Sequence, residues 1–120
     1  TQFVMILDAL QLRLLEKIRS DLAGYSVVRS TSPLDNRAIW LEIFADGIHK
    51  GNSCQTLLKK LNINCKEVAG LGNDYNDIDF LDICAEAYLV ANAPVNLQRH
   101  YKLVKSDKEE GFTEFISKVL

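Results

Sequence analysis

The chain carries only two prolines, one methionine, one tryptophan and six glycines in 120 residues. So little proline and glycine excludes collagen-like and low-complexity architectures. No apolar stretch approaches the ~20 residues that cross a bilayer, and the first ten residues lack the basic lead-in of a secretory signal. A basic block is missing as well, because 14 Lys and Arg face 16 Asp and Glu for a formal net charge of -2. Binders of the phosphate backbone carry such a patch, so the expectation is a cytoplasmic protein partnered by neither nucleic acid nor membrane. Cys54, Cys65 and Cys84 form no CxxC pair and no zinc-site spacing, and are expected as buried, reduced thiols. His49 and His100 lie far apart, without a glutamate at metal-site spacing. There is no initiator methionine, and the apolar run begins within two residues of Thr1, which leads to the expectation of a fragment.

What is present is 48% apolar and 25% charged, enough for one core and too short for two full domains. Phe3 to Leu7, closed by Asp8, has the length of a buried strand. Leu10, Leu14, Leu15, Ile18 and Leu22 share one helical face, predicting a helix over about 9 to 23 that Gly24 stops. Tyr25 to Arg29 is β-rich, and Ser32-Pro33-Leu34-Asp35-Asn36 reads as a turn. Ala38 to Phe44 alternates Ile39, Leu41 and Ile43 with Trp40, Glu42 and Phe44. This first part, 1–46, is therefore a small α+β piece with antiparallel pairing.

From 47 to 120 the pattern changes to alternating helices and strands, which implies a parallel α/β sheet. A helix over about 52–61 is expected to turn Leu57, Leu58 and Leu61 inward. Strands follow at 68–71, 87–91 and 101–104, with a helix at 78–84. A last helix from about Glu109 groups Phe112, Phe115, Ile116 and Val119 on one face. The boundary between the two parts falls at Asp46 to Gly51.

The chemistry is concentrated in Gly70-Leu71-Gly72-Asn73-Asp74-Tyr75-Asn76-Asp77-Ile78-Asp79, where a strand gives way to four oxygen-bearing side chains before a helix. Strand ends of this kind host ligand sites. Asn73, Asp74, Asn76 and Asp77 offer hard oxygen donors of the sort that hold Mg²⁺ together with substrate phosphate and water. An EF-hand is excluded, since counting from Asp74 finds neither glycine at the sixth position nor glutamate at the twelfth. The same residues are also ordinary turn formers and helix caps. Lys50, taken alone, is an exposed charge ahead of a helix.

In order, Gly47-Ile48-His49-Lys50-Gly51, Gly72-Asn73-Asp74-Tyr75-Asn76-Asp77-Ile78-Asp79-Phe80-Leu81, Val90-Ala91-Asn92-Ala93-Pro94 and Glu110-Gly111-Phe112 resemble the C-terminal half of a haloacid dehalogenase (HAD) superfamily phosphatase. The likeness is to the Cof-like and sucrose-phosphatase-like branch, and it covers essentially the whole chain. It implies a partial HAD-like three-layer core, a Rossmann-like parallel sheet at 47–120, with the C-terminal part of an α+β cap at 1–46. By resemblance, Lys50 is the lysine that neutralises the phosphoryl group, and Asn73 and Asp77 occupy the two acidic positions that hold Mg²⁺. Asn76 helps orient lysine and phosphate, and Asn92 lies near the phosphate.

Two departures stand out. Asn73 replaces the usual first acid, leaving open whether it or Asp74 is the metal ligand. The D-x-D motif that carries the nucleophilic aspartate has no match, because Asp8-Ala9-Leu10 lacks the second acid. The resemblance thus implies the lysine and metal half of a site for hydrolysing small phosphorylated metabolites, possibly sugar phosphates, with this chain alone inactive. The alternative is a non-catalytic phosphate- or metal-binding module. A pumping-ATPase phosphorylation domain shares the lysine and acidic turn but not Ile78-Asp79-Phe80-Leu81. A sheet lacking its nucleophile strand is further expected to expose an edge and to self-associate or bind a missing segment.

Overall fold

A computed structural model describes residues 2–32, 34 and 38–120, and the turn expected at 32–36 lies largely outside them. The chain divides into two compact units, Thr1–His49 and Lys50–Leu120.

The first unit contains β1 (Phe3–Asp8), α1 (Leu14–Asp21), β2 (Tyr25–Thr31) and β3 (Ala38–Ala45). The strands form an antiparallel sheet in the order β1-β3-β2, with Leu7 opposite Ile39 and Val27 opposite Ile43. Alternation puts Leu7, Ile39 and Leu41 on one face, where Leu15 of α1 covers them with Ile18 and Val27 at the margin. The helix is shorter than its apolar spacing predicts. Asp8 Oδ1 accepts the Leu10 N–H at 2.8 Å and Gln11 Oε1 accepts the Asp8 N–H at 3.0 Å, and these local bonds hold Ala9–Gln11 as a 3-10 turn. Leu10 consequently faces solvent. Gly24 has φ +96°, the left-handed conformation that ends the helical segment as expected. β1 corrects the expectation of a buried strand: it lies on the sheet edge, and of its apolar residues only Leu7 is buried.

The second unit runs α2 (Lys50–Leu61), β4 (Ala69–Gly72), α3 (Ile78–Leu81), β5 (Glu86–Val90), α4 (Val95–Gln98), β6 (Lys102–Val104) and α5 (Gly111–Val119). Its sheet is parallel, in the order β4-β5-β6, with Gly72 level with Leu89 and Val90 with Val104. The core gathers Leu81, Tyr88, Leu89, Val90, Ala93, Leu97, Val104 and Phe115. Leu81 and Leu89 are fully enclosed, each contributing roughly 1.5–3 kcal/mol of apolar burial. Phe115 meets Tyr88 edge-on, with ring centroids 5.4 Å apart. Phe112 does not join it on the core face and is exposed.

α2 also departs from its predicted face. Leu57 and Leu61 point to solvent, while Gly51 is buried and Cys54 and Leu58 are half-buried, so the packed stripe runs 51, 54, 58. Gly51 sets that rotation, because a Cβ there would lie 2.5 Å from the Asp79 carbonyl oxygen of α3. Cys65 is exposed and Cys54 and Cys84 are half-buried, which corrects the expectation of uniformly buried thiols. No helix among the described residues is long and apolar enough to cross a membrane.

Candidate active site

β4 ends at Gly72, and the chain turns through Asn73 and Asp74 into a single 3-10 turn, Tyr75–Asp77, that runs on into α3. A reciprocal capping box fixes this turn. The Asp74 side chain accepts the Tyr75 N–H at 2.7 Å and the Asp77 backbone N–H, and the Asp77 side chain accepts the Asp74 N–H in return. Asp77 is the centre of the arrangement. Its Oδ2 takes the N–H groups of Asn73 at 2.7 Å and Asp74 at 3.2 Å, while Oδ1 takes the ammonium of Lys50.

The Asp77 side chain is 4% exposed and that of Lys50 50% exposed, so the carboxylate is fixed in the fold and the cation reaches it from the solvent side. Two glycines permit the approach. A Cβ at Gly72 would stand 2.8 Å from the Asp77 Cβ, and Gly51 lets the first turn of α2 lie against α3, bringing Lys50 within reach. The Lys-Gly pair was visible in the sequence, but its spatial purpose needed the partner helix.

The structure therefore brings Lys50, Asn73, Asp74 and Asp77 together at the C-terminal end of a parallel strand, with Asn76 inside the same turn. Asn73 is exposed, and Asp74 is buried within the cap. Asn76 Oδ1 is buried with no hydrogen-bond partner. Asn92 follows the neighbouring strand β5 at the same end of the sheet, but its amide is occupied elsewhere: Nδ2 donates to Asp107 Oδ1 at 2.8 Å, and Oδ1 accepts the Asp107 N–H at 3.2 Å. Asp107, fifteen residues further on, drew no attention in the sequence because nothing local marks it as a partner.

As a donor set the turn contains oxygen alone, with no sulfur or imidazole, and the unpartnered acceptor of Asn76 adds to it; these residues suit a hard cation. Among the described residues no group of three or more His, Cys, Asp or Glu side chains could hold a metal ion. The turn can thus form one side of a coordination shell, to be completed by other oxygens. A buried carboxylate holding a half-exposed lysine at the C-terminal end of a parallel strand lies where open α/β sheets place their ligand sites.

The comparisons with known proteins give the family. Residues 2–116 match the family described as haloacid dehalogenase-like hydrolase, and the chain belongs to that family. A Streptococcus pyogenes serotype M6 protein, described as a candidate phosphatase, is 27% identical over 95 residues, covering 78% of this chain and 33% of that protein. Among solved structures, a Streptococcus mutans protein superposes with a TM-score of 0.80 at 24% identity, over 98% of this chain and 43% of its own. A HAD subclass IIB sugar phosphatase gives 0.78 at 14% identity, over 98% and 42%. A HAD/COF-like hydrolase candidate from Plasmodium vivax gives 0.74 at 24% identity, over 98% and 41%. The fold is that of the Cof-like HAD branch. This chain spans about a third of the S. pyogenes relative and less than half of each of these structures.

Proposed function

We propose that this chain supplies the lysine and metal half of a Mg²⁺-dependent phosphomonoesterase site, acting on small phosphorylated metabolites of the sugar-phosphate class. The observation that carries the reading is the bond from Lys50 to a buried Asp77 whose other oxygen is held by two backbone N–H groups. A cation fixed in this way, with little reorganisation left to occur, stabilises charge developing on a phosphoryl group. When bound, Mg²⁺ supplies Lewis-acid neutralisation of phosphate oxygens. In this assignment Asn73 and Asp77 would hold the metal, Asp74 holds the turn, and Asn76 would orient lysine and phosphate. Asn92 acts near the phosphate by holding Asp107 and the loop behind it. Residues 1–46 belong to the cap and 47–120 to the core. The nucleophilic aspartate belongs to the part of the relatives that these 120 residues do not match, and β4, paired on one side only among the described residues, offers the edge on which its strand would lie.

The test is hydrolysis of p-nitrophenyl phosphate, with and without Mg²⁺, by the product of the whole coding sequence and by the 120 residues alone. The whole product is expected to turn over, with Lys50→Ala and Asp77→Asn each lowering kcat by roughly 10²–10³. The 120 residues alone are expected to be silent. Turnover by the short chain that survives Lys50→Ala would overturn the reading.

A further inference from the structure

Where β5 ends, the chain makes a tight turn: the Ala93 N–H donates to the Val90 carbonyl at 3.0 Å, which puts Ala91 and Asn92 at the corner. Pro94 then opens α4, whose one turn is closed by the Leu97 N–H on the Pro94 carbonyl at 2.8 Å. This short helix is anchored at two points. Leu97 is buried in the core cluster, and Asn96 Oδ1 accepts the hydroxyl of Tyr75, from the acidic turn, at 2.7 Å. From that base Gln98, the last residue of α4, reaches back over the turn after β5. Its Nε2 donates to the Ala91 carbonyl at 2.9 Å and to the Ala93 carbonyl at 2.8 Å.

Two acceptors facing one nitrogen fix which way the Gln98 amide points, because its oxygen in that place would meet two carbonyl oxygens. The stretch of chain closed between those carbonyls contains both backbone dihedrals of Asn92. Gln98 therefore holds the backbone from which the Asn92 side chain projects to Asp107, with Nδ2 donating to the carboxylate at 2.8 Å and Oδ1 accepting the Asp107 N–H at 3.2 Å. Asn92 and Asp107 are both exposed. A hydrogen-bonded pair at the surface gains little over water, so it lasts only where little freedom is left to lose. The clamp removes that freedom before the pair forms.

We propose that Gln98 is a positioning residue: its amide clamps the turn after β5, so that Asn92 stays on Asp107 and the loops after β5 and β6 form one fixed wall beside the acidic turn. Its effect on turnover rests on the phosphatase reading above, whereas its hold on Asn92 does not. Two substitutions separate donation from size. Gln98→Glu keeps the shape and sets a carboxylate against the two carbonyl oxygens, and Gln98→Leu removes the donors without adding charge.

The test is nuclear magnetic relaxation of the 120-residue chain, isotope-labelled, in the parent and in both variants. The Asn92 side-chain amide of the parent is expected to be as ordered as rigid backbone, with an order parameter of roughly 0.85, and to fall below about 0.6 in Gln98→Glu and Gln98→Leu. The backbone amides of Tyr88 and Leu89 in β5 should keep their shifts, and Asp107→Ala should reproduce the loss by removing the partner directly. Asn92 order that survives both Gln98 variants, or a lowered thermal midpoint with Asn92 unchanged, would overturn the proposal and leave Gln98 as a structural contact of α4. In the product of the whole coding sequence, with p-nitrophenyl phosphate and Mg²⁺, both variants are expected to lower kcat/KM by roughly 10- to 10²-fold. Undiminished kcat/KM alongside a disordered Asn92 would overturn the part in turnover. A parent product without any turnover would instead sink the phosphatase reading, and the relaxation of Asn92 would still decide whether Gln98 holds it.

Discussion

Asp77 holds more of the local structure than Lys50 does, and the two side chains should separate under mutation. Removing the carboxylate in Asp77→Ala strands the N–H groups of Asn73 and Asp74, which it accepts at 2.7 and 3.2 Å in an enclosed site. Losing two hydrogen bonds to a charged acceptor, one of them from the buried Asp74 N–H, should cost about 3 kcal/mol. Lys50→Ala leaves those two bonds in place and removes a cation that is half in solvent, so its cost should be about 1 kcal/mol. Urea unfolding of the two variants followed by far-UV circular dichroism checks the difference, and equal losses would contradict it. Under the proposed function the asymmetry has a use, since a lysine that folding does not depend on would be available to a phosphoryl group. Glu114 shows a structural use of the same chemistry, its carboxyl held below the usual range mainly by the Lys105 N–H at 2.7 Å, away from the acidic turn.

At the scale of elements, the critical contact is between α2 and α3, and Gly51 decides it. A Cβ at that position would come 2.5 Å from the oxygen and 2.8 Å from the carbon of the Asp79 carbonyl, a backbone group that cannot rotate away like a side chain. Gly51→Ala should therefore push the helices apart at a cost of about 1–3 kcal/mol, and move Lys50, its immediate neighbour, relative to Asp77. Lys60→Ala, on the exposed end of the same helix, should stay within about 0.5 kcal/mol of the parent. Thermal melts of the two variants in parallel test this, and a neutral Gly51→Ala would show that the helix contact is looser than drawn. The same contact explains why the inward face of α2 was misread from sequence. Leucines at 57, 58 and 61 have the periodicity of a core face, but a close glycine contact turned the helix so that two of them face water. Strands and acidic turn were legible because period-two alternation and the oxygen-rich tract after Gly72 are local signals. Edge exposure of β1 and the pairing of Asn92 with Asp107 were not, since both depend on which segments become neighbours.

At the scale of the molecule, the two units differ in how much core each can call its own. Among the described residues, the first buries Leu7, Leu15, Ile39 and Leu41, and leaves Phe3, Val4, Met5 and Ile6 of its edge strand open. The second encloses a cluster of eight residues, from Leu81 to Phe115, against a three-stranded parallel sheet. Domains shorter than about 70–80 residues are marginal even with a good core, and those near 40–50 without a metal or disulfide are worse placed. Residues 50–120, expressed alone, should fold with a cooperative thermal transition on the strength of their larger core, whereas residues 1–49 alone should show none. The readout for the longer piece is far-UV circular dichroism together with slowed amide exchange in β5, whose Tyr88, Leu89 and Val90 are all buried. A non-cooperative melt for 50–120 would mean that its core needs more chain than it contains. A cooperative melt for 1–49 would mean that its small sheet and single helix are sufficient without the rest, which four buried apolar side chains among the described residues should not allow.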